Sequence, residues 1–382
     1  MIRQAAAGVG CLLLASLSGC GTRAAQATTA SAVRSATTVP VTAYVAADHP
    51  TIVTPVRLAT GKTLRPIRIS RQALDVAVTP NGSTVVVVGY AAVNRSSVTL
   101  IHTATGKAFT TVKFTGFPWP APIMFTPDSR TAYIANDVWS GTVIPVRTRT
   151  GRLGSPIRVG HNPEAMAITP DGKTLYVANE HSGTVTPIRT ATGAALRPIR
   201  VGQMPGAIAI TPDGKTAYVT SETTATVTPI RTATNTALRP IRIGSPGPYP
   251  DPEAIAITPD GKTAYVLNAG GVTPITIATG RARRQIPVDP FAGELAMTPD
   301  GKIVYAVDGL YGILYPIRTA TGTALRAIRF AGPLFGGVAF TPDSRFVYVA
   351  SGDLLIPVRT ATGKRGQAIR LPELISTFAI AP

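Results

Sequence analysis

This chain repeats itself, and the repeat leaves few folds open to it. The segment from Ala167 to Gly202 contains A-I-T-P-D-G-K-T-L-Y-V-A-N, T-V-T-P-I-R-T-A-T-G and L-R-P-I-R-V-G, and Ala209 to Gly244 restates it almost letter for letter. The proline of the T-P-D-G turn marks each copy, at Pro80, Pro127, Pro170, Pro212, Pro259, Pro299 and Pro342. The steps are 47, 43, 42, 47, 40 and 43 residues, and a last step of 40 lands on Pro382. A period of this length with several short β-rich runs per copy predicts an all-β chain, a single β-propeller of four-stranded blades.

Each copy reads as four strands. An inner run such as A-M-A-I-T (165–169) precedes the P-D-G turn, where proline presets φ and glycine takes the left-handed position. A second run, T-L-Y-V-A (174–178), is rich in β-formers, and T-V-T-P-I-R (184–189) and L-R-P-I-R-V (196–201) follow it. Pro66, Pro198 and Pro240 place the fourth run at the outer edge, where a missing N–H is tolerated. Pro187 in the third run predicts a bulge there. Residues 42–69 supply the second, third and fourth strands of a module, and 376–382 supply an inner strand alone. Together they complete one composite blade and close the ring. The expectation is eight blades, or seven if the divergent copy at 74–114 is not a true blade.

The signature T-P-D-G-K-T-L-Y-V-A-N (169–179), with A-Y-V-T-S at 217–221, resembles the YVTN family, the forty-residue propeller repeat of bacterial cell-surface proteins. The resemblance covers about residues 42–382. It implies the fold; the family serves binding, scaffolding and occasional catalysis, so it assigns no activity.

The N-terminus supplies an address. Arg3, an apolar run from Ala5 to Leu17, and Leu17-Ser18-Gly19-Cys20 read as a signal peptide (1–19) with a lipobox, as in bacterial lipoproteins. Cys20 is the expected lipidation site, and residues 21–40, rich in Ala, Thr and Ser, form a tether to a propeller at 41–382. With Cys11 removed in the leader, Cys20 is the only cysteine left, so no disulfide is available and the core alone must hold the ring. A content of 45% hydrophobic residues and a mean hydropathy of +0.21 suit sheets buried on both faces. The expected location is extracytoplasmic, lipid-anchored to the outer face of the cytoplasmic membrane, or secreted; a closed ring implies a monomer.

The net charge of +18 is unevenly spread. In a four-stranded blade the 1–2 and 3–4 turns share one face, the turn face. The 2–3 and blade-to-blade connections share the other, the loop face. Six of the nineteen acids are turn aspartates (Asp128, Asp171, Asp213, Asp260, Asp300, Asp343) and the rest fall in or beside loop-face segments. Most Lys and Arg lie on the rim and turn face. The turn aspartates are expected to pair with third-strand arginines such as Arg147, Arg189, Arg231 and Arg318. The rim arginines read as edge protection or as a contact for anionic polymers.

Residues outside the repeat point to a site on the loop face. Trp119 and Trp139 belong to one blade; His161, Glu164, Glu180 and His181 belong to the next. Phe291, Tyr311 and Phe335 are also in loop-face segments. Carboxylates beside aromatic plates suit a glycan, peptide or protein of the cell envelope. The alternative is a hydrolase or lyase using His161 or His181 with neighbouring carboxylates, metal-assisted if these N/O ligands converge. No cofactor is expected, since nucleophile-elbow, phosphate-loop and dinucleotide motifs are missing from the sequence.

If Cys20 carries the lipid, Cys20→Ser releases the protein from the membrane fraction or leaves an uncleaved precursor. Fractionation and migration identical to wild type would refute the assignment.

Overall fold

The structure, a computed structural model, describes residues 41–382 other than 48, 93–94, 117–122, 137–140 and 245–251. The expected signal peptide, lipidation site at Cys20 and tether, with Trp119 and Trp139, lie outside the described residues. Eight antiparallel four-stranded blades form the ring. The third blade shows the pattern: inner strand Pro163–Ile168, second Thr174–Asn179, third Thr184–Arg189, and an outer strand in two pieces, Ala194–Ala195 and Ile199–Arg200. The divergent copy is a true first blade, with strands Gln72–Val78, Thr84–Ala92, Arg95–His102 and Lys107–Phe114. The ring closes as the termini predict: Thr42–Ala47 pairs with Ile375–Ile380 in an antiparallel ladder, Tyr44 opposite Ala379.

Proline in the third strand produces a different irregularity from the bulge expected at Pro187. Tyr176 pairs with Pro187 in a register that runs unbroken from Thr174–Arg189 to Asn179–Thr184. Pro187 O accepts from Leu196 N–H at 2.8 Å, so this residue's backbone faces the outer strand. Its missing N–H is therefore missing on that side, and the outer strand splits there. The first blade carries Leu100 at this position, and its outer strand runs continuously over eight residues with Leu100 opposite Thr110.

Burial between blades is what holds the ring together. Alternate residues of each sheet face the blade before and the blade after, and a hydrophobic cluster fills each of the eight junctions. The cluster uniting the third and fourth blades joins Ala165, Ala167, Tyr176 and Val185 to Ile208, Val219 and Ile230. The last junction joins Tyr348 and Leu355 to Ala43, Val45 and Phe378. The second-strand tyrosines also cross the junctions. Tyr176 donates its hydroxyl to Asn235 Oδ1 at 2.6 Å, and Tyr265 donates to Thr319 O at 3.0 Å, each in the following blade's 3–4 turn. Burial pushes the Tyr176 phenol up to about 12, so it remains a donor at neutral pH.

The turn aspartates are satisfied within their own turns, and this corrects the expected pairing with third-strand arginines. Asp171 Oδ1 accepts from Thr169 Oγ1 at 2.6 Å and from Lys173 N–H at 3.0 Å, while Lys173 Nζ lies 3.4 Å from Oδ2. The same arrangement recurs at Asp213, Asp260 and Asp300. The threonine hydroxyl, acting first, holds Asp171 and Asp213 below the usual carboxylate range. Arg147 instead donates to Thr131 Oγ1, and His102, in the corresponding place, stacks on Phe109 with ring centroids 3.8 Å apart. Two turns have serine where the others have glycine. Ser129 and Ser344 stand at φ 61° and 60°, and their hydroxyls accept from Asn81 N–H and Asp300 N–H of the preceding blade's turn. These inter-blade bonds offset the left-handed strain.

Deleting 376–382 removes Phe378, which is fully buried, and leaves two unpaired edges. A loss on the order of several kcal/mol, with aggregation, is expected. Phe378→Ala alone should cost about 3–5 kcal/mol. An unchanged urea midpoint in either variant would refute closure as the stabilising step.

Candidate functional site

The loop face divides into two described sectors. The first holds the residues singled out in the third blade. Its inbound loop and its 2–3 loop, the latter a single 3-10 turn at Glu180–Ser182, are laced together. Gly160 N–H donates to Asn179 Oδ1 at 3.0 Å, His161 N–H to Ser182 Oγ at 2.8 Å, and Glu180 N–H to Asn162 O at 2.8 Å. Asn162 Nδ2 also donates to the Glu180 carboxylate. The fourth blade repeats the lacing with different side chains: Gly202 N–H to Ser221 Oγ, and Glu222 N–H to Met204 O. Asn162 and Met204 both adopt positive φ, 51° and 52°, to make it.

Glu180 is therefore part of a scaffold that the neighbouring blade shares. Glu164 is half-buried at the start of the inner strand, whereas His161 and His181 are exposed. The structure brings these residues onto two adjoining loops. Among the described residues, no three His, Cys, Asp or Glu side chains converge to hold a metal ion.

The second sector lies on the sixth and seventh blades and the composite blade. Asp308 ends the sixth blade's second strand, Ile303–Asp308. At the equivalent place other blades have Asn136, Asn179 and Asn268. Asn179 donates its amide to the hydroxyls of Thr184 and Thr186 in the third strand. The sixth blade replaces both threonines, with Ile313 and Tyr315, and the amide with a carboxylate. Asp308 is fully buried. Its Oδ1 accepts from Tyr311 N–H at 2.8 Å, and Oδ2 has no hydrogen-bond partner. Burial first, and then the charge of nearby Asp289, raise its carboxyl above the usual range, against the Tyr311 N–H and Arg329. Tyr315 is raised as well, by burial and by Asp289 and Asp308, with Asp289 hydrogen-bonded to it. A buried carboxylate with an idle oxygen costs stability, and such groups cluster where function is carried.

Around this acid group the surface is apolar. Phe291 is 59% exposed and Tyr311 57%, their rings edge-to-face with centroids 5.4 Å apart. Leu310, Phe335 and Leu374 are exposed too. A groove of about 270 Å³, lined by Pro333, Phe335, Gly336, Leu374 and Ile375 among others, opens where the seventh blade meets the composite one. The face is less acidic than its sequence suggests, because Arg370 Nη1 reaches Asp353 Oδ2 at 2.5 Å. The sequence places Phe291, Tyr311 and Phe335 on the loop face and Asp308 among its acids, but gives Asp308 no separate role and does not single out Leu310 or Leu374. The replacement of Asn by Asp alongside the loss of both threonines was the signal available for Asp308.

Comparisons with known proteins fall in line with the fold. A family model described as a lactonase, 7-bladed beta-propeller, matches residues 78–201. That segment runs from the end of one inner strand through the third blade, so it carries no information on how many blades close the ring. Among curated protein sequences none matches. Many solved structures are similar in fold, three of which illustrate the range. Dihydro-heme d1 dehydrogenase NirN in complex with DHE has a TM-score of 0.71 at 16% identity, over 94% of this chain and 78% of that one. Apo AztD from Citrobacter koseri has 0.65 at 14%, over 89% and 97%. Hydrazine synthase of Kuenenia stuttgartiensis has 0.56 at 24%, over 68% and 89%. At these identities the likeness is one of architecture.

Asp308→Asn should stabilise the ring at pH 7. A carboxyl raised on folding destabilises the fold increasingly as pH climbs from the ordinary value near 3.8 to its elevated folded value, and by a constant amount above it. The gap between Asp308→Asn and wild type should therefore be widest at pH 7 and close towards pH 4. Urea titrations at the two pH values measure it; a gap that widens on acidification would contradict the assignment.

Proposed function

We propose that this chain is a lipid-anchored, extracytoplasmic binding module of the YVTN-repeat type, and that it takes its partner on the loop face. The observation that carries the reading is the set of exposed apolar side chains on these loops, Phe291 against Tyr311 with Leu310 beside it, and Phe335 with Leu374 lining one groove, in the same sector as Asp289 and buried Asp308. Exposed apolar side chains on consecutive loops mark interaction surfaces, and aromatic rings are the usual anchors of such surfaces. An extended peptide bearing an apolar side chain and a Lys or Arg fits: the apolar group enters the groove at Phe335 and the cation lies towards Asp289. A peptide or protein is favoured over a glycan because Leu310, Leu374 and Ile375 offer no hydrogen bonds to sugar hydroxyls.

A library of such peptides, read by calorimetry, tests the proposal. Tyr311→Ala and Phe335→Ala should each weaken the best ligand by about 1–3 kcal/mol while leaving the thermal midpoint nearly unchanged. If Trp119→Ala and Trp139→Ala abolish binding and these two do not, the site belongs to the other sector and a glycan becomes the better ligand.

A second reading has one observation in its favour. The lactonase match includes His161, Glu164, Glu180 and His181. A hydrolase would use an exposed imidazole, with a carboxylate to orient it. Loss of a lactone or ester turnover in His161→Ala or His181→Ala, with peptide binding intact, would establish it.

A further inference from the structure

We infer that the turn face docks flat on an anionic lipid surface and so holds the loop face outward. This goes beyond the binding function, because it concerns the opposite face, and it draws on that reading only for the lipid at Cys20.

Two independent observations carry it. The first is charge. Each turn aspartate from Asp171 to Asp300 is neutralised by the lysine two residues on, at 3.1–3.8 Å. The arginines that end the third strands are not drawn into those pairs. Arg57, Arg189, Arg231 and Arg318 are exposed at equivalent places around the ring. Among the described residues none of them comes within salt-bridge distance of a carboxylate. With these four acids cancelled locally, the guanidinium groups of Arg57, Arg189, Arg231 and Arg318 are left over on four blades, while His102 and Thr276 take the place in the first and fifth blades. Guanidinium matches phosphate as a forked donor, and each basic group near an anionic bilayer contributes to attachment.

The second observation is where the chain enters. Thr42 lies opposite Arg57 in the composite blade, and Val41 O accepts from Leu58 N–H at 3.0 Å, beside the 3–4 turn. Residue 41 is thus on the turn face. At the other end, Pro382 lies beside Gly82 of the first blade's turn, where a Cβ would meet it, on the same face. Because the chain enters the fold on the turn face, a lipid at Cys20 reaches the side of the exposed guanidinium groups by the shorter path. Anchor and charge act on the same side of the disc.

The full-length lipidated protein is reconstituted into phosphatidylcholine vesicles with or without phosphatidylglycerol, an anionic lipid. One fluorophore is placed on a cysteine introduced at Ala191 (turn face) or Leu374 (loop face), and a lipid-borne quencher is added. In anionic vesicles the Ala191 label should be quenched several-fold more than the Leu374 label, and molar salt should erase the difference. Arg189→Gln, Arg231→Gln and Arg318→Gln together should lower the docking constant roughly a hundredfold, about fivefold per charge (~1 kcal/mol each). These arginines are exposed, and an unchanged thermal midpoint shows that the triple variant folds. Equal quenching of the two labels in anionic vesicles overturns the inference, as does undiminished preference in the triple variant. If labels show no preference but the triple variant loses affinity for soluble polyphosphate, the face binds a polyanionic polymer instead. Failure of the protein to carry lipid shows up separately, as a free thiol at Cys20 and no reconstitution.

Discussion

The structure depends on face-to-face burial between neighbouring sheets. A blade of this chain has apolar residues on both sides, so no blade satisfies itself: Tyr176 and Ala167 need Ile208 and Val219 of the next. Such an arrangement leaves an exposed sheet at each end unless it closes. Closure here is made by six residues at the far end of the chain, Ile375–Ile380, laid against Thr42–Ala47. That contact joins parts of the sequence more than three hundred residues apart, and it is slow to find and costly to lose. Without a disulfide among residues 41–382, whose sequence contains no cysteine, the stability has to come from these interfaces.

The repeat also separates scaffold from site. A residue that recurs in blade after blade does a structural task in each of them. Threonine and aspartate close the 1–2 turn, asparagine or serine ties the inbound loop to the second strand, and tyrosine crosses to the next blade. Glu180 resembles a functional acid until its counterpart Glu222 is seen anchoring the same lacing through its backbone. Asp308 resembles a scaffold residue until its partners are compared, and then it stands alone. Departures from the repeat are informative when several positions that touch each other depart together.

The ring, its composite blade and the two faces were legible in the sequence because they follow from period and turn chemistry. Three features were not. The irregularity caused by Pro187 falls on the strand that lacks its partner donor, which only the direction of the Pro187 carbonyl reveals. The turn aspartates had a lysine two residues away and an arginine across the sheet, and proximity within the turn decided between them. The apolar sector depends on which loop side chains remain uncovered. Leu374 at 72% exposure looks in sequence like any core leucine of a β-rich chain.

The split outer strand has a consequence for how rings meet one another. Where the third strand carries proline, the rim offers only two-residue pieces such as Ala194–Ala195 and Ile199–Arg200, too short for a foreign strand to zip onto. The first blade, with Leu100, presents Lys107–Phe114 as one strand of eight residues, interrupted by a single bulge between Ala108 and Thr110, and its outer backbone is open to hydrogen bonding. Lys107 and Lys113 stand near its two ends and are exposed. Two such edges approaching antiparallel would bring like charges together, so repulsion does for this blade what proline does for the others. When molecules crowd together, neighbouring rings are kept from sharing a sheet by two lysines.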